Sequence, residues 1–121
     1  MTGNDIIHVI DDDADVRQSL AFLLTTAGFT VRVHESGDAF LKVLAEVQEG
    51  CIVTDVRMPK LGGLETARSI RCDAAATPLI LITAYGDAWT RAQAAELGAV
   101  LLDKPIAVEQ LRRVVRDVVG D

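Results

Sequence analysis

The sequence predicts a doubly wound α/β domain, a parallel sheet held between two layers of helices. Three observations carry this. Short apolar, β-branched runs alternate with stretches of helical periodicity, five times over. The runs are apolar throughout rather than alternating, as strands covered on both faces are. No repeat, linker or low-complexity segment interrupts the 121 residues, a length that suits one domain, with its core from about 6 to 119. The pattern sets the layers and leaves the strand order open.

Ile6 to Ile10 is the first strand, stopped by Asp11-Asp12-Asp13. Val16, Leu20, Leu23 and Ala27 then repeat at helical spacing, and Gly28 ends that helix. Thr30 to His34 returns to strand character. Ser36-Gly37-Asp38 opens a helix whose apolar stripe is Phe40, Val43, Leu44 and Val47, and Gly50 breaks it. Cys51 to Asp55 is the third strand. Leu61-Gly62-Gly63 leads into a helix with Leu64, Ala67 and Ile70 on one side. Thr77-Pro78 opens the strand Leu79 to Thr83, and Gly86-Asp87 caps an alanine-rich helix running to Leu97 and stopped by Gly98. Val100 to Leu102 is the last strand, cut off by Asp103-Lys104-Pro105. Leu111, Val114 or Val115, and Val118 mark a final amphipathic helix.

Composition removes several function classes. A net charge of −6 argues against direct nucleic-acid binding, which needs a basic surface. Arg112, Arg113 and Arg116 read as a solvated helix face. No apolar run approaches the roughly 18 residues of a membrane span, and the N-terminus lacks the layout of a secretion signal. Cys51 and Cys72 stand far from any metal or disulfide spacing, which fits reduced cysteines in a cytoplasmic domain.

The chain is organised around Cys51-Ile52-Val53-Thr54-Asp55-Val56-Arg57-Met58-Pro59, a buried strand delivering one acid to its C-terminal end. In open α/β sheets ligands bind at that edge. The first strand ends at Asp11-Asp12, the third at Asp55, the fourth at Thr83 and the fifth just before Lys104. Parallel strands point these ends one way, so the residues should converge. Clustered carboxylates resist ionisation unless a cation is near, and oxygen donors favour a hard divalent ion such as Mg²⁺. Lys104 adds a fixed positive charge and Thr83 a hydroxyl. Together these are the parts for phosphoryl transfer onto an aspartate. Singly each has a structural reading: Asp13 or Asp12 as a helix cap, Asp55 as a turn residue, Thr83 bonded to local backbone, Lys104 as a solvated charge.

From about Ile6 to Val119 the chain resembles a receiver domain of a bacterial two-component response regulator. The motifs are Val9-Ile10-Asp11-Asp12-Asp13, Thr54-Asp55-Val56-Arg57-Met58-Pro59 with Gly62-Gly63-Leu64-Glu65, Leu81-Ile82-Thr83-Ala84, and Asp103-Lys104-Pro105. Val16-Arg17-Gln18-Ser19-Leu20 and Asp38-Ala39-Phe40-Leu41 further resemble the subfamily often joined to a LuxR-type helix-turn-helix output. The resemblance implies a flavodoxin-like sheet of order 2-1-3-4-5. Asp55 would be the phosphoacceptor, served by the phosphohistidine of a sensor histidine kinase. Asp12, Asp55 and the Arg57 backbone carbonyl would ligate Mg²⁺, with Asp11 acting through water. Thr83 and Lys104 would grip the phosphoryl oxygens, and the Lys104-Pro105 peptide would be cis. The chain would catalyse only its own phosphorylation and dephosphorylation, so it is not an enzyme in role. Thr83 would move toward the new oxyanion and reshape the face from Asp87 to Val119, where an output domain or partner protein, or a second phosphorylated copy, would dock.

The chain also departs from that pattern. The aromatic residue usual three positions before the lysine is Leu101 here, which puts the ring-based switch in doubt. Tyr85 and Arg57 flank the phosphoryl position, either shielding it from water or facing solvent. Trp89 is a candidate partner anchor, or else a packed core ring. His8 and His34 lie in strands and read as solvated or hydrogen-bonded neutral groups. Rival readings are an aspartate-nucleophile phosphatase of haloacid-dehalogenase type, a flavin-binding electron carrier and a degenerate receiver used only for docking. The first wants a second acid where Arg57 stands, the second a phosphate loop where Asp11-Asp12-Asp13 would repel phosphate, and the third does not need the complete acid, threonine and lysine set.

Overall fold

The computed structural model describes residues 6–43, 50–56, 62–73, 77–84 and 86–119, with the backbone alone at 43, 72, 73 and 119. The elements are β1 (Ile6–Ile10), α1 (Ala14–Thr26), β2 (Thr30–His34), α2 (Gly37–Val43), β3 (Cys51–Asp55), α3 (Gly63–Asp73), β4 (Leu79–Thr83), α4 (Ala88–Glu96), β5 (Val100–Asp103) and α5 (Val108–Val119). All strand pairs are parallel and the sheet order is β2-β1-β3-β4-β5, the flavodoxin-like arrangement. Parallel strands need a crossover between them, and the helices supply it.

Side-chain alternation along the strands divides the core in two. On one face Ile7, Val9, Val53, Ile80 and Ile82 pack with Leu20 and Leu24 of α1 and Leu111 and Val115 of α5. On the other, Ile10, Ile52, Leu79 and Leu81 meet Phe40 of α2, Leu64, Ala67 and Ile70 of α3, and Ala94 of α4. Each fully buried large aliphatic side chain contributes roughly 1.5–3 kcal/mol relative to exposure. In α5 Val115 is fully buried while Val114 and Val118 pack against the core from its margin. In α1 Leu24, not Leu23, is the deeper residue after Leu20. Leu44 and Val47 lie outside the described residues.

One expectation needs correcting. Central β4 is buried at every position, but β2 is one of the two edge strands and is largely exposed, with Val33 open to solvent. Apolar, β-branched character marks a strand without saying which strand ends the sheet.

Helix starts follow their side chains. The Asp13 carboxylate accepts from the backbone N–H of Asp15 and Val16, Ser36 Oγ accepts from Ala39 N–H, and Asp87 accepts from Thr90 N–H. None of the described helices is long and apolar enough to cross a membrane.

Beneath α2 lies a polar pair inside the fold. His8, 2% exposed, and His34 approach Nδ1 to Nε2 at 3.2 Å, and Phe40 stands 5.4 and 4.9 Å from their ring centres. Burial first, then the neighbouring His8 and Arg32, lower the His34 pKa to about 4. Burial alone pushes the Cys51 thiol up to about 12, so it stays protonated and unreactive. The Cys72 side chain lies outside the described residues.

Candidate functional site

The site is assembled at the C-terminal ends of β1, β3, β4 and β5. Beyond Ile10 the ladder continues for one bond, Asp11 N–H to the His34 carbonyl at 3.2 Å, which carries Asp11 to the rim while keeping it 3% exposed. Its carboxylate accepts from Asp13 N–H at 2.9 Å, and its own carbonyl accepts from Arg17 Nη1 at 2.7 Å. Asp12 is exposed and Asp13 is committed to capping α1.

Asp55 ends β3 opposite Ile82. The bond from Val56 N–H to the Ile82 carbonyl at 2.8 Å extends the pairing past it, and Gly63 N–H returns to the Val56 carbonyl at 2.9 Å. The start of α3 therefore lies directly against the acid. A Cβ on Gly63 would fall on the Asp55 carbonyl oxygen and 2.8 Å from its carbon, so backbone closeness alone requires glycine there.

Thr83 ends β4 at 1% exposure, paired in register with Asp103. Its carbonyl accepts from Lys104 N–H at 2.8 Å, which aims the lysine across the sheet edge. Lys104 Nζ reaches Asp55 Oδ2 at 2.8 Å, and the Asp55 side chain is 11% exposed. The Lys104–Pro105 peptide is cis.

Electrostatics ties these groups together. The hydrogen bond to Asp55 raises the Lys104 pKa most; burial opposes it, and the charges of Asp55, Asp11 and Asp13 add to the rise. Burial raises the Asp11 pKa, the Asp13 N–H opposes it, Asp55 and Asp12 raise it further, and Lys104 lowers it. Asp11 thus feels Asp55, Lys104 and Asp12 together, the mutual influence expected of one charge cluster.

The donors at this edge suit a small hard cation. Among the described residues, Asp11 and Asp55 crowd negative charge that the Lys104 ammonium balances only in part, and the donors are all oxygen. Among the described residues no three His, Cys, Asp or Glu side chains form a closed metal group. Mg²⁺ does not require one, since it is commonly held by one or two carboxylates and its own waters. The residues therefore fit the ion.

Of the residues expected from sequence, the structure brings Asp11, Asp55, Thr83 and Lys104 to one edge, with Asp12 at its exposed margin. Arg57 and Tyr85 lie outside the described residues. Leu101 is partly buried against the α2–α3–α4 core. Trp89 is 61% exposed on α4 and is no core ring. Two arginines were not anticipated: Arg17, which fixes the Asp11 carbonyl, and Arg91, whose Nη2 donates to Asp103 Oδ2 at 2.9 Å. For Arg17 the only signal was a long cation one turn after an acidic strand end.

Comparison with known proteins shows the family and the fold. The model of the response regulator receiver domain matches residues 7–116. The transcriptional regulatory protein FixJ of Bradyrhizobium diazoefficiens is 39% identical over 120 residues, 98% of this chain and 58% of that protein. FixJ of Azorhizobium caulinodans is 43% identical over 115 residues, 94% of this chain and 54% of that protein. The crystal structure of FixJ-N superposes with a TM-score of 0.90 at 35% identity, covering 99% of this chain and 96% of that one. The chain thus spans a little over half the length of these curated relatives. With the family pattern over most of its length and the same sheet order, this chain belongs to the response regulator receiver domain family.

Proposed function

We propose that this domain accepts a phosphoryl group on Asp55 from the phosphohistidine of a sensor kinase and responds by a change of shape. The observation that carries the reading is the Lys104 Nζ to Asp55 Oδ2 contact of 2.8 Å, made at the edge where Asp11 and Thr83 also arrive. A carboxylate oxygen of Asp55 attacks phosphorus, the P–N bond breaks, and its electron pair returns to the donor imidazole. Lys104 holds Asp55 at rest and turns to a phosphoryl oxygen afterwards. Thr83, next on the same edge, offers its hydroxyl to another. Bound Mg²⁺ would neutralise charge building on the phosphoryl oxygens. Asp55 and Asp12 would hold it with the Arg57 carbonyl, and Asp11 would act through water.

The new charge and acceptor oxygens at Asp55 supply the bias for a two-state element. That element is the face from Asp87 to Val119, on which exposed Trp89 stands ready for a partner or an output domain. Because the FixJ relatives are named as transcriptional regulatory proteins, an output that controls transcription fits best.

Incubation with acetyl phosphate and Mg²⁺ tests the reading by intact mass. The wild type should gain one phosphoryl group and Asp55→Asn none. An equal gain in both proteins would place the acceptor elsewhere.

A further inference from the structure

Arg91 stands in the first turn of α4 and spans a gap that no backbone bond closes among the described residues. Its Nε donates to the Gly86 carbonyl at 2.9 Å, and its Nη2 donates to Asp103 Oδ2 at 2.9 Å. Gly86 follows Thr83 by three residues, and Asp103 immediately precedes Lys104. On the opposite side the same two segments are joined by the bond from Lys104 N–H to the Thr83 carbonyl. The guanidinium therefore closes a ring that contains both side chains expected to grip the phosphoryl group. It bridges β5 to the β4–α4 loop, the join left without an aromatic side chain by Leu101.

We infer that Arg91 is a positioning residue that clamps the loop after Thr83 to the end of β5 and so holds the resting conformation. This rests on the phosphoacceptor reading above. When Thr83 is drawn toward a phosphorylated Asp55, the loop carrying Gly86 shifts relative to Asp103, and one rigid fork cannot follow both. The pair is 52% exposed on each side, so it is weak. Weakness suits a brake: losing it shifts a two-state balance about two- to fivefold without locking either state.

Gly86 offers a second way to open the clamp while keeping every charge. A Cβ there would meet Asp103 Oδ1 and lie 2.6 Å from Arg91 Nη2, both at the free ends of side chains that can swing aside. The test is the apparent affinity for beryllofluoride with Mg²⁺, a phosphoryl mimic, read by fluorine NMR in the full chain. The fluorescence of Trp89, the chain's single tryptophan, two residues from Arg91, reports the same event. At low salt Arg91→Gln and Gly86→Ala should both bind about two- to fivefold tighter than wild type. At high salt, which screens the exposed pair, wild type should approach the variants. Variants that bind no tighter at low salt, or a gain that salt leaves untouched, would overturn the clamp. A wild type that takes up neither beryllofluoride nor phosphate from acetyl phosphate would instead remove the phosphoacceptor reading, and the clamp with it.

Discussion

Two polar pairs join distant parts of this chain, and their surroundings are opposite. Lys104 and Asp55 are an ion pair at the open rim of the sheet, 49 residues apart in sequence. His8 and His34 share a hydrogen-bonding contact inside it, against Phe40, 26 residues apart. The interior pair is tolerated because its two rings share that contact and pack against an apolar ring, and burial holds His34 neutral. The rim pair instead joins an ammonium to a carboxylate at an edge that solvent reaches. One sheet therefore carries polarity in two settings, an interior pair that serves packing and an ion pair at the rim that the proposed phosphoryl transfer would use.

That contrast can be broken from either side. Phe40→Ala removes the fully buried ring that walls the histidines and should cost about 3–5 kcal/mol in denaturant unfolding, the largest expected effect. Lys104→Met should show the reverse profile. Stability should change by less than about 1 kcal/mol because the ion pair is partly exposed. Phosphorylation by acetyl phosphate should slow about 10²-fold, as loss of one transition-state donor commonly does. A Lys104→Met protein that unfolds early yet reacts at the normal rate would erase the distinction.

Acid provides a smaller, graded test. The folded His34 pKa of about 4 lies below its ordinary 6.5. The unfolded chain then binds this proton before the folded one does. Stability should be steady above pH 6.5 and fall as pH drops from there toward 4. Thermal midpoints across that window should show the slope in wild type, and His34→Gln should flatten it.

How far the sequence could be read follows the same physics. Cys51–Asp55 and Leu79–Thr83 were legible as strands because they are covered on both faces and so carry continuous apolar runs. Asp87 was legible as a cap from its side-chain chemistry, and Asp13 was one of two candidates for the role. Asp55, Thr83 and Lys104 could be expected together because parallel strands share one polarity, so their last residues meet. The edge position of β2 followed from the order 2-1-3-4-5 that the resemblance implied and not from composition, since Val31 and Val33 look the same in either place. The choice between Val114 and Val115, one residue apart on the same helix, was not legible. Long cations were the least readable. Arg116 looked like part of a solvated face, yet its Nη2 reaches the Ala27 carbonyl at 3.3 Å and its guanidinium lies 5.5 Å from the centre of the Phe29 ring. Such side chains act across tertiary distances that no local pattern encodes.

The sheet order has a kinetic consequence. β4 lies between two strands and under two helix layers, whereas β2 has one neighbour and open side chains. Amide hydrogens of Ile80 to Ile82 should exchange only through global opening, and those of β2 through local opening, orders of magnitude sooner. Deuterium uptake should then spread from β2 toward β4. A molecule frayed at that outer strand would still keep β3, β4 and β5 paired, and with them the rim that carries Asp55, Thr83 and Lys104.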